Sequence, residues 1–169
     1  MTTATLIRLA GLAAILGGAL RIVSAFIPYV PDSAPLEAFY LVIDLALLFG
    51  LIGVYARVAG RLGGVGLAGF VVAAGGIAGI VGPDPVAFGI ATYQVGVVAI
   101  SMGLVVLAGQ MLRVRAGGRV APGLWLSAVA VGLLGGAVGW PQAGFVVAGV
   151  LFGGGFVAAG WRAWRRAGG

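Results

Sequence analysis

Long apolar runs separated by very short polar connections are the feature that most constrains what this chain can fold into. Each run approaches the roughly 20 residues that an α-helix needs to cross about 30 Å of hydrocarbon. The connections are too short to hold a soluble domain, and they contain turn residues such as Gly117, Gly118 and Pro141. The runs occupy approximately residues 6–27, 36–55, 62–81, 86–112, 120–138 and 143–160.

Composition and pattern together favour a helical membrane protein. The chain is 62% hydrophobic and 8% charged, with a mean hydropathy of +1.18, whereas a soluble domain carries roughly a quarter charged residues. The runs are long and lack the alternation of apolar and polar residues that is typical of membrane β-barrels. We therefore predict an all-α integral membrane protein with a single polytopic domain over residues 1–169, a bundle of six transmembrane helices.

The arginines predict the orientation of this bundle. Of the 10 basic residues, all arginine, nine lie at the start of the first run, after the last run, or in alternate connections. With six spans these nine fall on one face, which the positive-inside rule makes cytoplasmic. The opposite connections carry Asp32 and Asp84 instead. The nine are Arg8, Arg57, Arg61, Arg113, Arg115, Arg119, Arg162, Arg165 and Arg166.

We accordingly expect a multi-pass protein of the bacterial inner (plasma) membrane with both termini cytoplasmic. The segment 23–25 resembles a signal-peptide cleavage site, but the nearby charge of Arg21 argues for a retained first span. Trp161, Trp164 and the arginines beside them are typical of an interfacial anchor, which we prefer to a specific lipid site. The pI near 11.2 follows from the loop arginines and requires no nucleic-acid partner.

Glycine spacing indicates close helix packing. Glycines four residues apart form grooves that let two helical backbones approach each other. Most of these grooves are expected to pack within the monomer, and some could dock a partner subunit. The candidate helix-packing residues are Gly75, Gly79, Gly132, Gly136, Gly149 and Gly153.

The chain also suggests an internal repeat. Gly75 and Gly79 recur 57 positions later as Gly132 and Gly136, so the six spans could be three related helical hairpins. The alternative is chance, because 33 of the 169 residues are glycine.

Arg21 and Asp44 are charged residues inside apolar runs. They are equidistant from the centre of the first outer connection, so in an antiparallel hairpin they lie at the same depth. An unpaired charge there costs at least about 2.5–3.5 kcal/mol, which favours pairing. Arg21 also shares a helix face with small residues such as Gly18, so that face should point inward.

Further polar residues are expected at this level. Glu37 and Tyr40 share the helix face of Asp44, and Tyr93 and Gln94 lie at a matching depth in the fourth run. The cluster is either a structural ion pair with supporting hydrogen bonds or a site for a small anionic or proton-linked ligand. The candidate site comprises Arg21, Glu37, Tyr40, Asp44, Tyr93 and Gln94.

The residues that are missing limit the chemistry. The chain has no Cys, His or Lys, which leaves no basis for thiol, zinc, haem or Schiff-base chemistry. Only Glu37, Asp44 and the outer tyrosines could serve an intramembrane lipid enzyme. We therefore predict a protein that is not an enzyme and has no metal or cofactor.

The function that the sequence favours is a helix-packing subunit or scaffold of a membrane complex or homo-oligomer. Its partners would be the lipid bilayer and other membrane subunits or further copies of itself. The alternative is a small carrier or channel that binds its ligand at the level of Arg21 and Asp44. Between that level and the cytoplasm the runs supply only Ser101 and Gln110, a thin polar path that favours the first hypothesis.

Overall fold

The computed structural model describes residues 2–28, 30, 32–81 and 91–166, and the regular secondary structure within these ranges is entirely α-helical. All five helices are long and apolar enough to span a membrane, which indicates a multi-pass membrane protein. The expected turn at 82–85 and the first residues of the run 86–112 lie outside the described ranges. The helices are α1 (Thr3–Ser24), α2 (Ala34–Ile80), α3 (Thr92–Arg113), α4 (Val120–Ala137) and α5 (Pro141–Arg166).

Local sequence explains where the helices begin. The Thr2 side chain caps α1 by accepting a hydrogen bond from the backbone N–H of Thr5. A proline lies in the first turn of α2, and Pro141 opens α5, positions where the missing N–H of proline costs nothing. Glu37 lies in the first turn of α2, where a carboxylate is stabilised by the helix N-terminus.

Helix α2 covers both the second and the third predicted runs, and it is not straight. Gly63 has non-helical backbone angles (φ 60°, ψ −165°), which favour glycine. The rings of Tyr55 and Phe70 stack with centroids 4.2 Å apart, although 15 residues of continuous helix would separate them by about 22 Å. The chain therefore folds back at Gly63, and α2 consists of a first arm (34–62) and a second arm (64–80).

A side chain from α3 supports this reversal. The amide of Gln110 donates a hydrogen bond of 3.1 Å to the carbonyl of Leu62. That carbonyl belongs to the last turn of the first arm, whose C=O groups have no partner within the helix. Gln110 therefore satisfies a backbone group that the break at Gly63 leaves open.

The helices pack as antiparallel neighbours with glycine or alanine at their closest approaches. Helix α1 contacts α5 and the first arm of α2, whereas α3 contacts the second arm and α4. The closest approaches include Gly18 with Gly153, Gly50 with Ala14, Gly76 with Gly96 and Gly135 with Gly144. A Cβ at Gly18 would lie 2.5 Å from the Gly153 carbonyl oxygen, so these positions exclude larger side chains.

The buried core is narrow, as expected of a bundle that faces lipid. Trp125 and Phe156 are fully buried and meet edge to face, with ring centroids 5.2 Å apart. Many large apolar side chains point outward, Leu133 and Phe145 among them. In water such a surface would drive aggregation, whereas in a bilayer it contacts hydrocarbon.

Candidate functional site

A cavity of about 330 Å³, here called the arginine cavity, lies where the first arm of α2, the α3–α4 connection and α5 meet. Four of its lining residues are arginines that come from these three separate segments. Arg61 and Arg115 are exposed, whereas Arg57 and Arg162 are half-buried, so the cavity is accessible from the surface. The lining consists of Arg57, Val58, Arg61, Arg115, Gly117, Gly118 and Arg162.

The α3–α4 connection shapes this cavity through unusual backbone angles. Arg115, Gly117 and Gly118 have φ values of 52°, 71° and 86°. Such angles are easy for glycine, but they cost energy in a residue with a side chain such as Arg115. A Cβ at Gly118 would also displace the guanidinium of Arg162 from its present position.

Two arginines are held in place by backbone carbonyls of this connection. Arg162 Nη1 donates to the carbonyl oxygen of Gly117 at 3.1 Å, and Arg61 Nη2 donates to that of Val114 at 3.4 Å. A guanidinium has five N–H donors, so each retains others for a ligand. The fixed, planar donor groups suit the paired oxygens of a phosphate or a carboxylate.

No carboxylate lines the arginine cavity within the described residues. Asp44 precedes Arg57 by 13 residues on the same helical arm, which corresponds to about 20 Å. Glu37 and Asp32 lie farther along in the same direction. The carboxylates of the described residues therefore lie about 20 Å or more from Arg57 along this arm.

Sequence reasoning assigned these arginines to membrane orientation and did not identify the cavity. Their pattern along the chain is explained by orientation alone. The adjacent glycines 117 and 118 in an arginine-rich connection were the sequence feature that could have indicated a loop with unusual backbone angles. Which arginines converge depends on contacts between segments that are far apart in sequence.

The structure places Arg21 close enough to Asp44 for the guanidinium to stabilise the carboxylate by Coulomb attraction. The contacts of Gly17 with Ala46 and of Ala14 with Gly50 set the register that brings the two charges to the same depth. Both side chains are half-buried.

Hydrogen bonding at this pair is local. The hydroxyl of Ser24, one turn further along α1, lies 3.4 Å from Arg21 Nη1 and donates to the Arg21 carbonyl at 2.8 Å. No hydrogen bond joins Arg21 to Asp44 among the described residues. The pair is therefore coupled by charge and not by direct contact.

The other four residues of the predicted cluster are divided between two places. Glu37 and Tyr40 are half-buried on the first arm of α2, and Tyr40 packs against Phe39 with ring centroids 5.9 Å apart. Tyr93 and Gln94 are exposed on α3, which makes no contact with α1 within the described residues. The structure thus brings Arg21 and Asp44 together and leaves Tyr93 and Gln94 apart from Arg21.

The polar residues between this level and the arginine cavity are already bonded. The Ser101 hydroxyl donates to the Val97 carbonyl of its own helix at 2.9 Å. The Gln110 amide bonds the end of the first arm of α2. Neither group extends a polar path from Asp44.

The six candidate packing glycines occupy different environments. Gly149 and Gly153 lie against Ala25 and Gly18 of α1, and Gly132 touches Ala148 at ordinary van der Waals distance. A Cβ at Gly75, Gly79 or Gly136 would meet nothing within 4 Å.

The open glycines of α2 share one side of its second arm. Gly64, Ala68, Gly75 and Gly79 are exposed and follow one another at helical spacings of four and seven. They form a narrow stripe of small residues, here called the open face, which the exposed side chains of Val71 and Val72 flank. The opposite side of the same arm packs on α3 through Gly69 and Gly76.

The sequence matches no known family model, and neither the curated proteins nor the solved structures contain a match to it.

Proposed function

We propose that this chain is a six-span protein of the bacterial inner membrane, with both arms of α2 crossing the bilayer and both termini in the cytoplasm. The stacking of Tyr55 on Phe70 supports two antiparallel arms. The second arm, 64–80, is about as short as a spanning helix can be. The arginine-rich ends of the helices would then face the cytoplasm.

We further propose that the protein is non-catalytic and acts as a helix-packing subunit of a membrane complex, in its simplest form a homo-oligomer. The open face is the observation that carries this proposal. Gly69 and Gly76 on one side of the second arm lie against the backbone of α3, whereas Gly64, Gly75 and Gly79 on the other side have no neighbour within 4 Å. Small-residue surfaces are the surfaces through which transmembrane helices associate.

Cysteine cross-linking tests this proposal cleanly because the chain contains no cysteine. Gly75→Cys places one thiol on the open face, where the added side chain has room. Met102→Cys is a matched control, since Met102 lies at a similar depth on α3 and is 63% exposed among bulky apolar residues. We expect oxidation in native membranes to produce a disulfide-linked dimer with Gly75→Cys and not with Met102→Cys.

Native mass spectrometry of the unmodified protein provides the second measurement. We expect a defined oligomer or a complex with other subunits, and we expect Gly75→Leu to dissociate it while leaving the monomer folded. The proposal would be refuted by a monomeric wild type in mass spectrometry together with no disulfide-linked dimer of Gly75→Cys.

A carrier or channel is the second candidate, because charges at Arg21 and Asp44 lie inside apolar helices without a direct bond between them. Such a protein reconstituted in liposomes would show ion or small-anion flux that Arg21→Gln abolishes. Ser101 and Gln110 already donate hydrogen bonds to backbone carbonyls of the protein. This argues against a polar path from Asp44 towards the other end of the bundle and favours the first candidate.

A further inference from the structure

We propose that the arginine cavity binds the phosphate group of an anionic ligand, either a phospholipid headgroup or a free phosphate. The proposal rests on the cytoplasmic orientation proposed above for these helix ends, but it does not depend on the proposed oligomer. It is also distinct from the pair formed by Arg21 and Asp44.

Charge is the first argument for this site. Arg61, Arg115 and Arg162 bring three positive charges to one cavity, and no carboxylate of the described residues lines it. Guanidinium groups remain protonated in proteins, so their mutual repulsion cannot be relieved by losing a proton. An anion with several oxygens in the cavity would offset that repulsion.

Geometry is the second argument. The 3.1 Å bond of Arg162 to the Gly117 carbonyl positions one half-buried guanidinium before any ligand arrives, and the exposed Arg61 makes a weaker bond of 3.4 Å to the Val114 carbonyl. Preorganised donors bind more tightly because less side-chain freedom is lost on binding. Arg115 adds a third charge from the left-handed position of the turn that ends α3, in which the Ala116 N–H donates to the Met111 carbonyl at 2.9 Å.

The size and position of the cavity fit a headgroup. Its volume of about 330 Å³ is at the lower end of the range for ligand pockets. Basic pockets between transmembrane helices on the cytoplasmic side are known to take anionic headgroups. A soluble phosphate would make the same contacts, so the experiment has to separate the two sources.

Thermal unfolding of the purified full-length protein in a neutral detergent tests the site, because a ligand that binds only the folded state raises the melting temperature. The probes are phosphatidylglycerol, phosphatidylcholine and inorganic phosphate, each titrated separately. The variant is the double substitution Arg61→Gln with Arg115→Gln. Its matched control is Arg113→Gln with Arg119→Gln, which removes the same charge from exposed arginines that do not line the cavity.

We expect phosphatidylglycerol to raise the melting temperature of the wild type and of the control, with phosphatidylcholine much less effective. In the cavity variant the apparent affinity should fall by about tenfold or more for each arginine removed. If inorganic phosphate gives this pattern and phosphatidylglycerol does not, the site binds a free phosphate.

Two results would overturn the proposal. Equal losses in the cavity variant and the control would show diffuse charge attraction, and no stabilisation of the wild type by either anion would show that no site exists. If the glutamine variant does not fold, Arg61→Lys with Arg115→Lys replaces it. That variant keeps the charge but loses the paired donors, so it should bind measurably more weakly than the wild type, and equal binding would contradict the inference.

Discussion

Replacing Gly18 by alanine should weaken the contact between α1 and α5. The added Cβ would lie 2.5 Å from the Gly153 carbonyl oxygen and 3.0 Å from both Phe156 Cβ and Val157 Cγ2. Ordinary van der Waals contact begins near 3.4 Å. The two helices must therefore separate by most of an ångström where the core of the bundle packs, which also loosens neighbouring contacts.

The free-energy cost of this overpacking can be isolated by comparison with a helical glycine that has open space around it. Gly109 lies in α3, and a Cβ there would meet nothing within 4 Å. Both substitutions gain about 0.5–1 kcal/mol because alanine favours helix more than glycine does. Only Gly18→Ala also incurs the overpacking cost of roughly 1–3 kcal/mol, so that cost should equal the difference between the two variants.

Equilibrium unfolding in mixed micelles with increasing dodecyl sulfate, followed by circular dichroism, gives both free energies of unfolding. We expect Gly109→Ala to match or exceed the wild type and Gly18→Ala to fall below it. Equal free energies for the two variants would show that the close approach of α1 and α5 does not limit stability, and the packing argument would be wrong.

Three further predictions use the same assay. Asp44→Asn should destabilise the protein because it removes the charge that stabilises the half-buried guanidinium of Arg21, and combining it with Arg21→Gln should recover much of the loss; normal stability of both single variants would refute the pairing. Gln110→Leu should cost about 1–2 kcal/mol by removing the hydrogen bond to the Leu62 carbonyl at the end of the first arm of α2, whereas Ser101→Ala, which breaks a bond within one helix, should cost less. Gly118→Ala should be destabilising through both its positive φ and the displaced guanidinium, with unchanged stability as the contradicting outcome.

The common depth of the two charged residues inside the apolar runs could be predicted from the sequence. Arg21 and Asp44 were expected at one level because they are equidistant from a short connection, and the register of α1 on α2 places them together. This works because a helix has a fixed rise per residue and a short connection enforces an antiparallel neighbour. Tyr93 and Gln94 shared the same depth, but depth alone does not say which helix stands beside which.

The sequence by itself determined that the chain is helical and multi-pass, because apolar runs of this length partition into a bilayer and must satisfy their backbone hydrogen bonds internally. It also determined that nine of the 10 arginines lie at the start of the first run, after the last run or in alternate connections. Only the tertiary structure decided that the chain reverses at Gly63, that Gly75 and Gly79 face outward, and that four arginines share one cavity. These features depend on close packing between residues remote in sequence, and neither hydropathy nor local propensity encodes that packing.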